Sequence, residues 1–186
     1  MPRQSNKRER LINSAKDLLL QKGYSETTLA DIAQSAEVPL GNVYYYFKTK
    51  KEIGLAVIKQ HLTTLHQCFN EWESLGSPAE KLKALASEGY QSVDNTISFG
   101  CAIGSLCQEL CKSKSELSDS ARELMNKMID WVEAQFAQTE SQNPRALALK
   151  FVAHLQGIAL LSNTFKDKEM FLEQQKTLDT WLKEAS

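Results

Sequence analysis

Apolar residues recur at spacings of three and four along nearly the whole chain, and the alternating β-branched runs that a half-buried strand needs do not occur. That restricts the fold to helices packed on helices, and the spacing predicts an all-α chain of about nine. The first helix is expected over about Asn6 to Lys22, with Leu11, Ile12, Ala15, Leu18 and Leu19 on one face and Gly23 as a left-handed stop. Thr28-Leu-Ala-Asp31 has the form of a capping box and opens a short second helix to about Ala36; Pro39 suits the first turn of a third, from about Leu40 to Phe47. A long fourth helix is expected from about Lys50 to Ser74. Ser77-Pro-Ala-Glu80 starts a fifth, which ends before Phe99-Gly100, and the sixth covers about Ala102 to Lys112. A seventh spans about Ser118 to Gln138, an eighth begins with Asn143 capping Pro144 and runs to about Asn163, and a ninth extends from about Lys168 to Ala185.

A chain of 186 residues is long enough for one domain, or for a small domain fused to a larger one, and its core needs neither disulfides nor a structural metal. No apolar run reaches the ~20 residues of a membrane span. The basic start (Arg3, Lys7, Arg8, Arg10) leads only to Leu18-Leu19-Leu20 before polar residues return, which is not the pattern of a signal peptide. Cys68, Cys101, Cys107 and Cys111 lack paired C-x-x-C spacing, so reduced thiols in a cytoplasmic protein are expected. Formal net charge is -1, unevenly spread: residues 1 to 53 hold nine Lys/Arg against six Asp/Glu. A polyanion would therefore dock on the N-terminal third, although so small an excess also fits an ordinary solvated surface.

The two short helices joined at Glu37-Val38-Pro39, preceded by a longer amphipathic one, make a helix-turn-helix in a three-helix unit, expected over residues 1–49. Val43 and Phe47 would face Leu29, Ile32, Ala33 and Ile53, which leaves Leu40, Gly41, Asn42, Tyr44 and Tyr45 on the outer side, free to enter a major groove. Gly41 lets backbones approach, Asn42 offers donor and acceptor to a base edge, and tyrosine hydroxyls can bond phosphate. Lys48, Lys50 and Lys51 would flank the groove and neutralise phosphates. The Thr28 hydroxyl, with the amides at the second helix's start, would add an anion contact. A core stripe explains one tyrosine; three in succession, each turned about 100° from the last, cannot all be core.

Thr27-Thr-Leu-Ala-Asp-Ile-Ala33 followed by Ala36-Glu-Val-Pro-Leu-Gly-Asn-Val-Tyr-Tyr-Tyr-Phe-Lys-Thr-Lys50 resembles the DNA-binding signature of TetR-family transcriptional regulators, over about residues 7 to 55. The resemblance implies phosphate contacts at Thr28, Tyr44, Tyr46 and Lys50, and base-edge or groove contacts from Leu40, Gly41, Asn42 and Tyr45. Lys51 departs from the acidic residue common after that lysine. The resemblance further implies an all-helical ligand domain, a homodimer built largely on the last two helices, and a palindromic operator in double-stranded DNA.

Residues 50–186 are expected to form the effector-binding and dimerisation domain. Its eighth helix, Ala146 to Leu161, is apolar nearly all round, with Ala and Gly permitting close approach. With the ninth it can form half of a four-helix dimer bundle, with Phe151, Leu155, Ile158, Phe171, Leu178 and Trp181 as candidate interface residues; burial within one chain is the alternative. His154 in this stretch is read as a core or interface histidine, and no metal constellation is seen. Aromatic residues Trp72, Tyr90, Phe99, Trp131 and Phe136 are either pocket lining or core. Cys101 follows Gly100 at the start of the sixth helix, where the N-terminal dipole favours a thiolate, and the Gly-Cys-x-x-Gly pattern resembles a TetR branch that senses electrophiles or oxidants. The alternative is that Cys101, Cys107 and Cys111 are small buried hydrophobes.

A ligand-responsive DNA-binding repressor released by a small-molecule effector is thus the leading expectation, and a repressor triggered by thiol chemistry at Cys101 the alternative. G-x-S-x-G, Walker, H-E-x-x-H and dinucleotide motifs are all absent from the sequence, so neither catalysis nor a cofactor is expected.

Overall fold

The computed structural model describes residues 6–90 and 93–185, and every regular element among them is a helix. The ten helices are α1 (Lys7–Lys22), α2 (Leu29–Ser35), α3 (Leu40–Tyr46), α4 (Lys50–Trp72), α5 (Pro78–Tyr90), α6 (Val93–Phe99), α7 (Ala102–Leu110), α8 (Glu116–Phe136), α9 (Pro144–Phe165) and α10 (Lys168–Ala185). α5 and α6 occupy the stretch expected to form one helix, with residues 91–92 between them outside the description.

Local chemistry sets most of the boundaries. Thr28 closes a full capping box on α2, its hydroxyl accepting from Asp31 N–H at 3.1 Å while the Asp31 carboxylate accepts from Thr28 N–H at 2.9 Å. Ser77 and Glu80 repeat that reciprocity at the start of α5, and the Asn143 side chain caps α9 ahead of Pro144. α8 begins earlier than expected because Ser115 and Ser118 cap one another, each side chain accepting the other's amide. Gly23 ends α1 at φ 83°, which glycine alone adopts readily, but with ψ 166° it is extended rather than a left-handed helical stop.

The chain forms two compact units. The first holds Met1–Thr63 and Ser105–Leu124, so the unit containing the helix-turn-helix does not end at residue 49. Contacts from the later segment explain this: Lys51 pairs with Glu116 at 2.6 Å, and Gly54 lies against Tyr24 and Leu117. Within this unit α2 packs on both α1 and α3, and Leu11, Ala15, Ile32, Val43 and Val57 are buried at 0% exposure.

The second unit holds Thr64–Gly104 and Met125–Ser186. Its core joins Leu82, Leu85 and Ala86 to Met128, Val132, Phe136, Ala148, Phe151, Val152, Leu178 and Leu182. α9 packs on α10 and α6. Phe151, Ile158, Phe171 and Leu178, expected at an interface, are instead buried within this chain. Leu155 and Trp181 are half-buried against the same core. The outward side of α9 carries Leu149, Ala153, Leu160, Leu161 and Phe165 instead, continued by Leu172 on α10. Although α9 is long and apolar enough to cross a membrane, with mean hydropathy 1.2 over its most apolar window, its inner face belongs to this core.

Candidate nucleic-acid interface

α3 has only seven residues, and tertiary contacts rather than propensity hold it. Val43 and Phe47, one turn apart, are buried, and each contributes about 1.5–3 kcal/mol of apolar burial. Their inward placement forces the remaining positions outward: Leu40, Gly41, Asn42, Tyr44 and Tyr45 are all exposed. A Cβ at Gly41 would meet nothing within 4 Å, so its own chain does not require glycine there; its effect is to leave the outer surface of α3 low. Tyr46 is half-buried, with its ring edge-on to Tyr45 at 5.0 Å.

Charge is arranged around this face. The exposed Lys48 donates to Tyr44 O at 2.5 Å, which holds its ammonium beside α3, and Glu52 accepts from Lys48 N–H at 2.8 Å. Lys50 behaves differently. Its ammonium donates to Tyr24 O and Ser25 O at 2.9 and 3.0 Å and lies 4.6 Å from the Tyr24 ring centroid, so in this conformation it staples the α1–α2 turn. Lys51 is tied to Glu116, whose carboxylate holds the ammonium above its ordinary pKa. Arg8 lies over the Phe47 ring at 5.3 Å. Thr28 is exposed but already serves as a helix cap, and its backbone and side-chain bonds hold the Asp31 carboxyl below its usual range.

Arg10 was missed by sequence reasoning. Its guanidinium donates to Ala36 O, Glu37 O and the Glu37 carboxylate, and so fastens the helix-turn-helix bend to α1. The bend needs fastening because Glu37 sits at φ 50°, a left-handed conformation that costs a residue with a side chain of the order of 1 kcal/mol. Glu109 was also missed, since only the fold brings α7 to the Tyr24–Ser25 turn.

Residues 11–57, which include α2, the bend and α3, match the family described as bacterial regulatory proteins, tetR family. The chain is 32% identical over 120 residues to the HTH-type transcriptional repressor NemR of Escherichia coli K12, a match covering 64% of this chain and 60% of NemR. An HTH-type transcriptional regulator in the lacX 3' region of Lactococcus lactis, itself uncharacterized, is 29% identical over 174 residues, or 87% of this chain and 86% of that one. The fold is that of a TetR transcriptional regulator from Legionella pneumophila, with TM-score 0.82, 21% identity, and coverage of 97% of this chain and 98% of that one. Residues 11–57 thus match the TetR family, and the chain as a whole has the fold of TetR regulators.

The cysteines sit in unlike surroundings. Cys101 is half-buried, its sulfur accepting from Gly104 N–H at 3.4 Å and from the Gln156 side-chain amide at 3.6 Å. Gly104 makes this possible, because a Cβ there would lie 2.0 Å from Gln156 Oε1. Cys107 is buried and donates to Ala121 O at 3.2 Å; Cys111 donates toward Ser118 O at 3.6 Å. Cys68, half-exposed, has its pKa raised by burial and by Glu88 and Glu71. His154 meets Gln174 O at 3.3 Å. No cluster of potential metal ligands occurs among the described residues. Of the aromatic candidates, Phe136 is core, while Trp131 stacks on Phe69 at 4.5 Å beside an open groove of about 380 Å³ that also includes His66, Lys127 and Asp130. The Tyr90 side chain lies outside the described residues.

Proposed function

We propose that this chain is a cytoplasmic transcriptional repressor, not an enzyme, that binds a palindromic operator in double-stranded DNA as a homodimer and is released by a small-molecule effector. The observation that carries the reading is the outer face of α3: a helix anchored by Val43 and Phe47 presents Leu40, Gly41, Asn42, Tyr44 and Tyr45 to solvent, with Lys48 alongside. Asn42 supplies the bidentate chemistry suited to adenine, and the tyrosines supply phosphate or methyl contacts. NemR, named as a transcriptional repressor, supports the sign of the output.

The dimer is supported by the outward face of α9. Leu149, Ala153, Leu160, Leu161 and Phe165 form an apolar stripe that this chain leaves uncovered, and a Cβ at Gly157 would meet nothing of its own chain within 4 Å. A second copy laying its own α9 and α10 on this face would bury the stripe in an isologous contact. The effector acts by binding better to the conformation that fits the operator worse. Selecting bound duplexes from a random DNA pool tests the proposal: a two-fold symmetric site should emerge, and selection of no palindrome at low salt would refute it.

The environment of Cys101 favours a second reading, in which the trigger is covalent. Two N–H donors converge on that sulfur, whereas the Cys107 and Cys111 thiols are spent on carbonyls. Addition of the Cys101 sulfur to the activated C=C of an electrophile such as an enone forms one C–S bond and opens the π bond, the thiol proton passing by way of solvent to the neighbouring carbon. Under this reading Cys101→Ser retains operator binding and loses release by the electrophile; release that persists in this variant would leave the pocket ligand as the trigger.

A further inference from the structure

We propose that Glu109, carried on α7 and remote from α3 in sequence, is a positioning residue for operator binding, because it fixes the turn that delivers the chain from α1 to α2. The inference rests on the DNA-binding reading above. The two Glu109 carboxylate oxygens divide two successive amides between them: Oε2 accepts from Tyr24 N–H and Oε1 from Ser25 N–H, each at 2.6 Å. Lys50 takes the carbonyls of the same two residues. All four backbone polar groups of a surface turn are thus held by ionic side chains 84–85 and 25–26 positions away, where a turn of this kind ordinarily leaves them to water.

The preceding residue is shaped for the same contact. Gly23 has φ 83°, so the backbone favours glycine, and a Cβ there would lie 2.9 Å from Glu109 Oε2 and press the incoming carboxylate out of place. On the far side of the turn the grip passes to α2. The buried Thr27 donates to Gly23 O at 2.7 Å, Thr28 caps α2, and α2 packs on α3. Burial raises the Glu109 pKa, but the Ser25 hydroxyl, the two amides and Lys112 outweigh it and hold the carboxyl below its ordinary value, so it is ionised at neutral pH. Charge-assisted bonds of this length are the strong kind, and a displacement of about 1 Å takes them out of range. A glutamine at 109 keeps the size of the side chain but offers one acceptor oxygen to two amides and turns a donor toward the other.

The test uses full-length protein and the duplex that the wild type selects from a random pool, well below the melting temperature. Glu109→Gln should lower affinity about 10- to 100-fold, with the slope of log affinity against log salt unchanged because no phosphate contact is lost. Gly23→Ala should act in the same direction, and the double variant should lose less than the product of the two single losses. In DNA-free protein, amides of α2 and α3 should exchange hydrogen faster in Glu109→Gln while those of α9 do not change. A purely structural role would lower the melting temperature and leave both affinity and the α2–α3 exchange untouched, which overturns the proposal. If the wild type selects no duplex, the DNA-binding reading is what fails, and exchange in α2 and α3 still decides whether Glu109 positions them.

Discussion

Two surfaces of this protein expose large apolar side chains to a similar degree, and they are built for different neighbours. On α3, Leu40, Tyr44 and Tyr45 are 42%, 46% and 79% exposed; on α9, Leu149, Leu160, Leu161 and Phe165 are 47%, 59%, 46% and 63% exposed. Exposure does not separate them. Hydrogen-bonding capacity does: the α3 face alternates ring and hydroxyl with an asparagine amide, a bare glycine and a lysine, whereas on α9 the one nearby hydroxyl, Thr164, donates back to Leu160 O at 2.8 Å. The first surface can stay wet and still gain from a partner with phosphates and base edges. The second gains only by excluding water, so a partner there would have to be apolar too.

The largest expected effect comes from charging the dry surface. Leu160→Glu with Phe165→Asp should convert a dimer to monomers, raising the dissociation constant by about 1,000-fold or more, because unpaired carboxylates buried in an apolar contact cost several kcal/mol. Equilibrium sedimentation reads this directly; a variant that sediments as the wild type does would show that α9 is not the contact. Its counterpart, Tyr45→Asp, should leave sedimentation unchanged.

A perturbation that touches neither surface calibrates both. His61 is buried near Lys16, and desolvation first, then that charge, pushes its pKa from the usual 6.5 to about 4. The unfolded chain therefore takes up a proton that the folded one refuses as pH falls from about 6.5 to about 4. Stability is full above that window and should drop within it by up to about 3 kcal/mol. Urea melts at pH 7 and pH 5, with the change in His61→Leu subtracted, isolate this contribution; an identical pH dependence in the two proteins would dismiss it.

Two smaller changes sharpen the comparison on the wet side. Asn42→Ala should relax preference at a single base pair by about 1–3 kcal/mol, whereas Lys48→Ala should weaken all duplexes alike and reduce the salt slope by about 0.9. Loss of discrimination spread evenly over the site in Asn42→Ala would argue against a base-edge role. Smallest of all, Glu37→Gly relieves the left-handed φ at the loss of an exposed ion pair, and should change stability by no more than about 1 kcal/mol, toward stabilisation. Destabilisation beyond that in a urea melt would mean that Arg10 depends on the Glu37 side chain more than on the carbonyls of Ala36 and Glu37.

What was legible in the sequence follows the range of the interaction. Thr28, Asn143 and Pro144 announce their helices because a cap bonds only three residues ahead. The outward set on α3 was legible because two buried residues four apart fix every other direction on so short a helix. Three features were not. Nothing about a glutamate suggests the φ of Glu37, which Arg10 imposes from 27 positions away. Glu109 reads as a polar position on α7 until the fold brings it to Tyr24. On α9 the periodicity identified an apolar helix but not which apolar side is interior: Phe151 and Ile158 went to the core, Leu149 and Leu160 to the outside, and both pairs fit a helix that is apolar nearly all round.

If a second copy covers the leucines left bare on α9, as proposed, the protein's behaviour depends on its abundance. Where only a second chain covers that face, melting temperature rises with protein concentration, and dilution alone releases monomers whose exposed stripe invites aggregation or proteolysis. An operator that requires both copies then fills roughly as the square of the number of chains when they are scarce. Halving the dose of such a regulator would cut occupancy about fourfold, so a weak dimer contact gives a threshold response before any effector has bound.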